Sequence, residues 1–226
     1  MVETAAASPL VAVISGVAAS VAPAEDALRE AIPLARLWNI LDDRLISDAV
    51  EAGGVTAHLA ERMHRLIDHA AVEGAESVLL TCSLYGHLVA EASARAGIPV
   101  IGPDDAAFAF AASGRYRSLA VVSGVPLALA DSAARVRKHF AEAGCETAVH
   151  PVLAVAAREP SLVGDAQGTA SAIASALAAT DARFDAILLA NYSLGIARSA
   201  LESATVTPVI AGAPLAAAAV RSAITH

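Results

Sequence analysis

The chain repeats itself. Val11-Ala12-Val13-Ile14-Ser15-Gly16-Val17 returns as Leu119-Ala120-Val121-Val122-Ser123-Gly124-Val125, 108 positions later. Val78-Leu79-Leu80 returns as Ile187-Leu188-Leu189 and Pro99-Val100-Ile101 as Pro208-Val209-Ile210, both at an offset of 109, and Gly86 returns as Gly195. Two copies of one α/β unit explain these ordered matches better than chance. The 226 residues then divide into units of roughly 110, an ordinary domain size. In this register Cys82 has Asn191 as its twin, so a pseudo-twofold site would carry a thiol on one side only.

Each copy alternates apolar strand-like runs with helical stretches. In the first, Leu10–Ile14 reads as a strand, then a helix near Ala24–Ile32, a strand over Leu34–Leu41 and an amphipathic helix over Thr56–Glu73. Thr56 can cap that helix, and Leu59, Met63, Leu66, Ile67 and Ala70 share its apolar face. Ser77–Leu80 is a strand that delivers Thr81-Cys82-Ser83 to its C-terminal end. A helix over Leu84–Ala96 follows, closed by Gly97, and then a short strand over Ile98–Ile101. The second copy repeats the order with strands at Leu119–Val122, Glu146–Leu153, Asp185–Leu189 and Val206–Ile210. Its helices run from Pro126 to Ala143 and over Gln167–Ala179, and an Ala-rich helix ends the chain. Such alternation specifies parallel sheets with right-handed crossovers, and strands this uniformly apolar are buried on both faces. The predicted fold is therefore α/β, with two pseudo-symmetric lobes, each a parallel flavodoxin-like sheet flanked by helices, and the active site between them. The expected division is a loose tail at 1–8, a first lobe at 9–113, a second at 114–212, and a C-terminal helix at 213–226 packing back on the first lobe.

Ligands of parallel sheets bind at the carboxyl ends of the strands. Those ends carry Ser15-Gly16, Asp42, Thr81-Cys82-Ser83, Ser123-Gly124 and Asn191-Tyr192-Ser193. Cys82, between a buried strand and an expected helix N-terminus, reads as a thiol whose pKa is lowered toward neutrality. The hydroxyl and amide groups of Thr81, Ser83, Asn191, Tyr192 and Ser193 suit a carboxylate, as does close backbone approach at Gly16 and Gly124. Asp42 could orient a substrate, although an acid in such a loop more often caps the next helix. Cys145 reads as a small buried hydrophobe, and His58, His64 and His69 as solvated.

Other classes are excluded on composition. A net charge of -8 with no Lys/Arg cluster argues against nucleic acid. No apolar run approaches the roughly 20 residues of a membrane helix, and no signal peptide is expected. Two cysteines give no disulfide framework, so a cytoplasmic setting is expected. No dinucleotide fingerprint, phosphate loop, HExxH or CxxC occurs, so neither a cofactor nor a metal is expected. Ala-rich helices favour a homo-oligomer, a dimer or larger.

The duplicated unit, the strand ending in Thr81-Cys82-Ser83 and the matching strand end at Asn191 resemble the aspartate/glutamate racemase superfamily over Leu10 to Ala219. The resemblance implies a cofactor-independent enzyme with its site between two lobes and, in the racemases, one cysteine per lobe as opposed acid and base. Cys82 falls on the first-lobe cysteine. Asn191, or Tyr192 after a one-residue slip, falls on the second. Ser15 and Gly16 match a Ser-Gly of the amino-acid racemases, whose preceding Asp is Ile14 here. The implied function is a racemase or isomerase moving a proton at carbon next to the carboxylate of a small organic acid, with Cys82 as acid/base. A decarboxylase of a malonate-type acid, with the single thiol as proton donor, and a catalytically silent carboxylate-binding protein are the alternatives.

Overall fold

A computed structural model describes residues 8–114 and 116–225. The expected tail at 1–8 lies almost wholly outside the described residues. The first half runs β1 (Leu10–Ser15), α1 (Val21–Ala31), β2 (Arg36–Leu41), α2 (Leu45–Glu51), α3 (Ala57–Val72), β3 (Ser77–Leu80), α4 (Val89–Ala96), β4 (Val100–Ile101) and α5 (Asp105–Ser113). The second runs β5 (Ser118–Ser123), α6 (Pro126–Glu142), β6 (Ala148–Leu153), α7 (Arg158–Leu162), α8 (Ala166–Ala178), β7 (Ala186–Leu189), α9 (Arg198–Ala204), β8 (Val209–Ala211) and α10 (Gly212–Ile224). Two parallel four-stranded sheets result, ordered β2-β1-β3-β4 and β6-β5-β7-β8. The repeat read in the sequence is thus a repeat of topology.

Local chemistry explains most boundaries. The Thr56 hydroxyl accepts from Leu59 N–H at 3.4 Å and starts α3. Pro126 opens α6 where no N–H is needed. Gly97 ends α4 at φ 68°, a left-handed conformation that favours glycine. The central strands are buried throughout, so they read as continuous apolar runs. Alternate residues of β1 serve two separate cores: Ala12 and Ile14 pack with α3, while Val11 and Val13 pack with α1 and α10. Burying a Val or Ile fully is worth ~1.5–3 kcal/mol, so neither face is spare.

The last helix of each half crosses to the other sheet. Phe108 and Ala111 of α5 pack with Leu119, Val121 and Leu188, although α5 falls within 9–113 of the sequence. Ala213, Ala216 and Val220 of α10 pack with Val11 and Leu79. This exchange ties the lobes into one body at the cleft. Gly212 marks one crossing, because a Cβ there would lie 2.5 Å from the Pro103 carbonyl oxygen and 3.2 Å from the Tyr192 ring. Gly212→Ala is expected to cost about 1–3 kcal/mol by overpacking, read as a lowered denaturation midpoint in urea. An unchanged midpoint would mean the Pro103 loop yields freely.

His64 departs from its expected solvation. It lies buried on α3, its Nδ1 without a partner among the described residues and its Nε2 3.7 Å from Glu91. It shares the helix face of Met63 and Ile67, so the same periodicity that buries them buries it. His69 is exposed and meets Trp38 edge-on. Cys145 is only partly buried, its sulfur 3.0 Å from the Thr147 hydroxyl.

Candidate active site

The carboxyl ends of β1, β3, β5 and β7 meet at a cleft between the lobes with about 690 Å³ of empty space, its open mouth included. Thr81, Cys82 and Ser83 form one wall; Gly124, Asn191, Tyr192 and Ser193 form the other. Gly16 stands directly behind the thiol, since a Cβ there would reach Cys82 Sγ at 3.5 Å.

The two walls are wired differently. Thr81 donates its hydroxyl to Ser15 at 3.0 Å, and the Cys82 thiol has no side-chain partner among the described residues. In the second lobe the Ser123 hydroxyl at 2.7 Å and the Gly124 N–H at 3.3 Å both donate to Asn191 Oδ1. That fixes the amide orientation and turns Nδ2 into a donor with no partner among the described residues. Asn191 is thus locked, and it cannot serve as an acid or a base.

Cys82 corrects one expectation. Burial pushes its thiol up to about 12; the Leu84 and Tyr85 N–H groups pull the other way, and the charges of Asp104 and Asp131 push it further up. The expected lowering needed an α-helix N-terminus at Cys82. Instead a 3-10 turn spans Ser83–Leu88 and the α-helix begins only at Val89, beyond the reach of a macrodipole that fades within one turn. At neutral pH the substrate-free thiol is protonated.

Tyr192 lines the cleft, yet its ring belongs to the core with Val11, Val13 and Ala213 and its hydroxyl has no partner among the described residues. Burial raises its phenol above the usual range, and the Asp104 charge adds to this. Ser83 is gripped on three sides. Its hydroxyl lies 3.1 Å from Asp104 Oδ1 and 3.0 Å from the Ala190 carbonyl, and its own carbonyl accepts from Arg135 at 3.0 Å. Asp42 does not reach the cleft. It accepts from Arg62 at 2.7 Å and from the Arg44 N–H, so it braces α2 against α3.

The sequence reading missed ten cleft-lining residues, Ser20, Ile46, Arg158 and Leu162 among them. Among the described residues Arg158 is the one charged group lining the cleft, and its guanidinium has no ion-pair partner. Ser20 and Ser193 add hydroxyls without a partner among the described residues. This set can bind a carboxylate and hold negative charge beside a neutral thiol. No group of three or more metal-ligating side chains occurs among the described residues, and none of their helices is long and apolar enough to cross a membrane.

This architecture defines a class: two flavodoxin-like lobes closing on a cleft, the fold of the aspartate/glutamate racemases. A glutamate racemase isoform from Bacillus anthracis superposes with a TM-score of 0.73 at 15% identity, covering 98% of this chain and 83% of that one. Allantoin racemase from Klebsiella pneumoniae gives 0.67 at 18%, covering 96% and 88%. A Gly-to-Cys, Cys-to-Ser double mutant of arylmalonate decarboxylase gives 0.60 at 18%, covering 96% and 93%. No family model matches the sequence, and no curated protein matches it.

Proposed function

We propose that this chain is a cofactor-independent enzyme of the aspartate/glutamate racemase superfamily, of racemase/isomerase type. In this reading it moves a proton at carbon next to the carboxylate of a small organic acid, with Cys82 as acid/base. The observation that carries the reading is a buried thiol with no side-chain partner among the described residues on one cleft wall of this fold, faced by free donors on the other. Those donors would hold the enediolate-like charge that develops when the carbon loses its substituent. Cys82 would then deliver or take the proton on one face.

A decarboxylase of a malonate-type acid is the second reading, and the protonation state of Cys82 favours it specifically. A protonated thiol is ready to donate to a carbanion left by carbon dioxide, whereas proton abstraction first requires the thiolate. The opposite wall offers the locked Asn191 and a phenol with a raised pKa, so protonation from one face is the expected stereochemistry of the decarboxylase reading, whereas racemisation would need Tyr192 or a water to deliver a proton from the other face.

Incubation with small carboxylates and substituted malonates in deuterium oxide separates these readings. Deuterium entering at the α-carbon without gas release supports the first, and carbon dioxide release with deuterium in the product supports the second. Bound acids that show neither would leave a catalytically silent carboxylate-binding protein.

A further inference from the structure

The pseudo-twofold pairs more than Cys82 with Asn191. A Cβ built on Gly16 would meet Ile46 Cγ1 at 3.1 Å, and one built on Gly124 would meet Arg158 Cβ at 3.3 Å. Gly16 and Gly124 are repeat mates, so Ile46 and Arg158 occupy the same seat in the two lobes. One seat is apolar and stands beside the thiol. The other is cationic and stands beside Asn191. The chain as a whole carries a net charge of -8, yet among the described residues the only charge lining the cleft is this positive one.

We propose that Arg158 anchors the substrate carboxylate and that the cleft selects a monocarboxylate with an apolar substituent, seated against Ile46, over an amino acid or a dicarboxylate. The inference rests on the proposed activity and names its substrate class. A guanidinium with no partner among the described residues can offer a carboxylate two parallel N–H donors. Asn191 Nδ2 stands on the same wall as a further donor. An α-ammonium group would find no acidic side chain on the cleft walls, and a second carboxylate would find no second cation, so either would lose hydration without compensation. On the thiol side, Val17, Ile46 and Leu84 offer apolar contact. This orientation would put the carbon next to the carboxylate between Arg158 and Cys82.

Four probes of one shape test it by ligand-observed NMR titration, without turnover: isocaproate, its amide, leucine and succinate. Leucine adds an ammonium group to isocaproate, and succinate replaces the isopropyl end with a carboxylate. Native protein is expected to bind isocaproate at least tenfold more tightly than the other three. Arg158→Gln is expected to weaken isocaproate about 10- to 100-fold while leaving the amide within twofold, and Arg158→Lys to fall between. The exposed position of Arg158 makes a folding defect an unwelcome but checkable outcome by thermal melt. Isocaproate binding equally well to native and Arg158→Gln protein would overturn the proposal, as would equal affinity for leucine or succinate, or no binding of isocaproate. The titrations read binding without turnover. Loss of the proton-transfer reading therefore shows in the isotope experiment alone, and loss of the Arg158 reading shows in the titrations alone.

Discussion

Cys82→Ser is expected to lower turnover by about a thousandfold or more while leaving a folded protein whose cleft still binds carboxylates. General acid/base groups contribute 10²–10⁴-fold, and among the described residues Asn191 offers no group on the opposite wall to take over. Serine is close to cysteine in size, so the buried site keeps its shape. The hydroxyl cannot be ionised at working pH, so the variant removes the proton-transfer group and little else. The pH profile of the native protein then tells acid from base. Burial holds the Cys82 thiol up at about 12, so a rate that depends on the protonated form stays flat across neutral and mildly alkaline pH. A rate that depends on the thiolate instead climbs about tenfold per pH unit from neutrality. Alkylation by iodoacetamide follows the thiolate in either case: slow near neutrality and rising with pH, not levelling until near 12. A plateau below the free-thiol value of roughly 8.5 would contradict the burial seen here. The same shift has a stability consequence. The folded-state pKa is raised, so the contribution is fully present below the unfolded thiol value and is lost as pH rises from there toward about 12. Native protein is therefore expected to lose stability through that alkaline window more steeply than Cys82→Ser.

The repeat was legible because it lies in strands and strand ends, where two-sided burial and ligand access both restrict the residue types. That is why Thr81, Cys82, Ser83, Gly124, Asn191, Tyr192 and Ser193 were found, and why the cleft assembles them. The Ile46–Arg158 pair was hidden by a change of offset. Helix α1 has 11 residues and α6 has 17, so the matches slip from 108 at β1 to 112 at β2, keep 112 at Ile46 and Arg158, and return to 109 at β3. Comparison at a fixed offset never set Ile46 beside Arg158. Asp42 was misplaced for a different reason: its strand-end position was visible, but its capture by Arg62, twenty residues away, was not. The lowered thiol pKa was expected because sequence patterns do not separate a 3-10 turn from the first turn of an α-helix. That difference decides whether a macrodipole reaches Cys82. The passage of α5 to the second sheet left no periodic trace, since a helix has the same apolar stripe whichever sheet it covers.

The second large effect concerns the ion pair behind the thiol. Arg135, on α6, forms a short ion pair with the Asp104 carboxylate, donates to Asp131 at 2.9 Å and to the Ser83 carbonyl, and lies with its guanidinium 5.2 Å above the Phe108 ring. Asp104 precedes α5, at the point where the chain passes from one lobe to the other. The pair therefore joins the lobes and grips the residue next to Cys82. Gly86 makes room for it: a Cβ there would sit 2.7 Å from Arg135 Nη1, whereas its repeat mate Gly195 has nothing within 4 Å. The side chains of Asp104 and Arg135 are only 6% and 16% exposed. Asp104→Ala would thus leave a guanidinium buried with two carboxylates, Asp131 at 2.9 Å and the exposed Asp105 at 4.0 Å, in place of three, a change expected to cost about 3–5 kcal/mol. Asp104→Asn, which keeps the bond to Ser83 but not the charge, should cost less. Replacing both partners with apolar residues of similar size, as in Asp104→Leu with Arg135→Met, should recover much of the loss, because the stranded charge goes with its partner. Equilibrium unfolding in urea measures all three. A double variant no more stable than Asp104→Ala would mean that the hydrogen bonds to Ser83, rather than the pair itself, hold this junction. The sign with pH is also set. Burial pushes the Asp104 carboxyl up, while Arg135 pulls it down without reversing the shift. The folded chain therefore holds this proton more tightly than the unfolded chain does, and acid does not weaken the fold through Asp104. The contribution is present in full below the ordinary carboxylate range and is lost as pH rises through it. An acid-sensitive native protein must owe that sensitivity to other carboxylates, such as Glu25 and Glu61, whose hydrogen bonds to Asn39 and Arg95 hold them below their usual values.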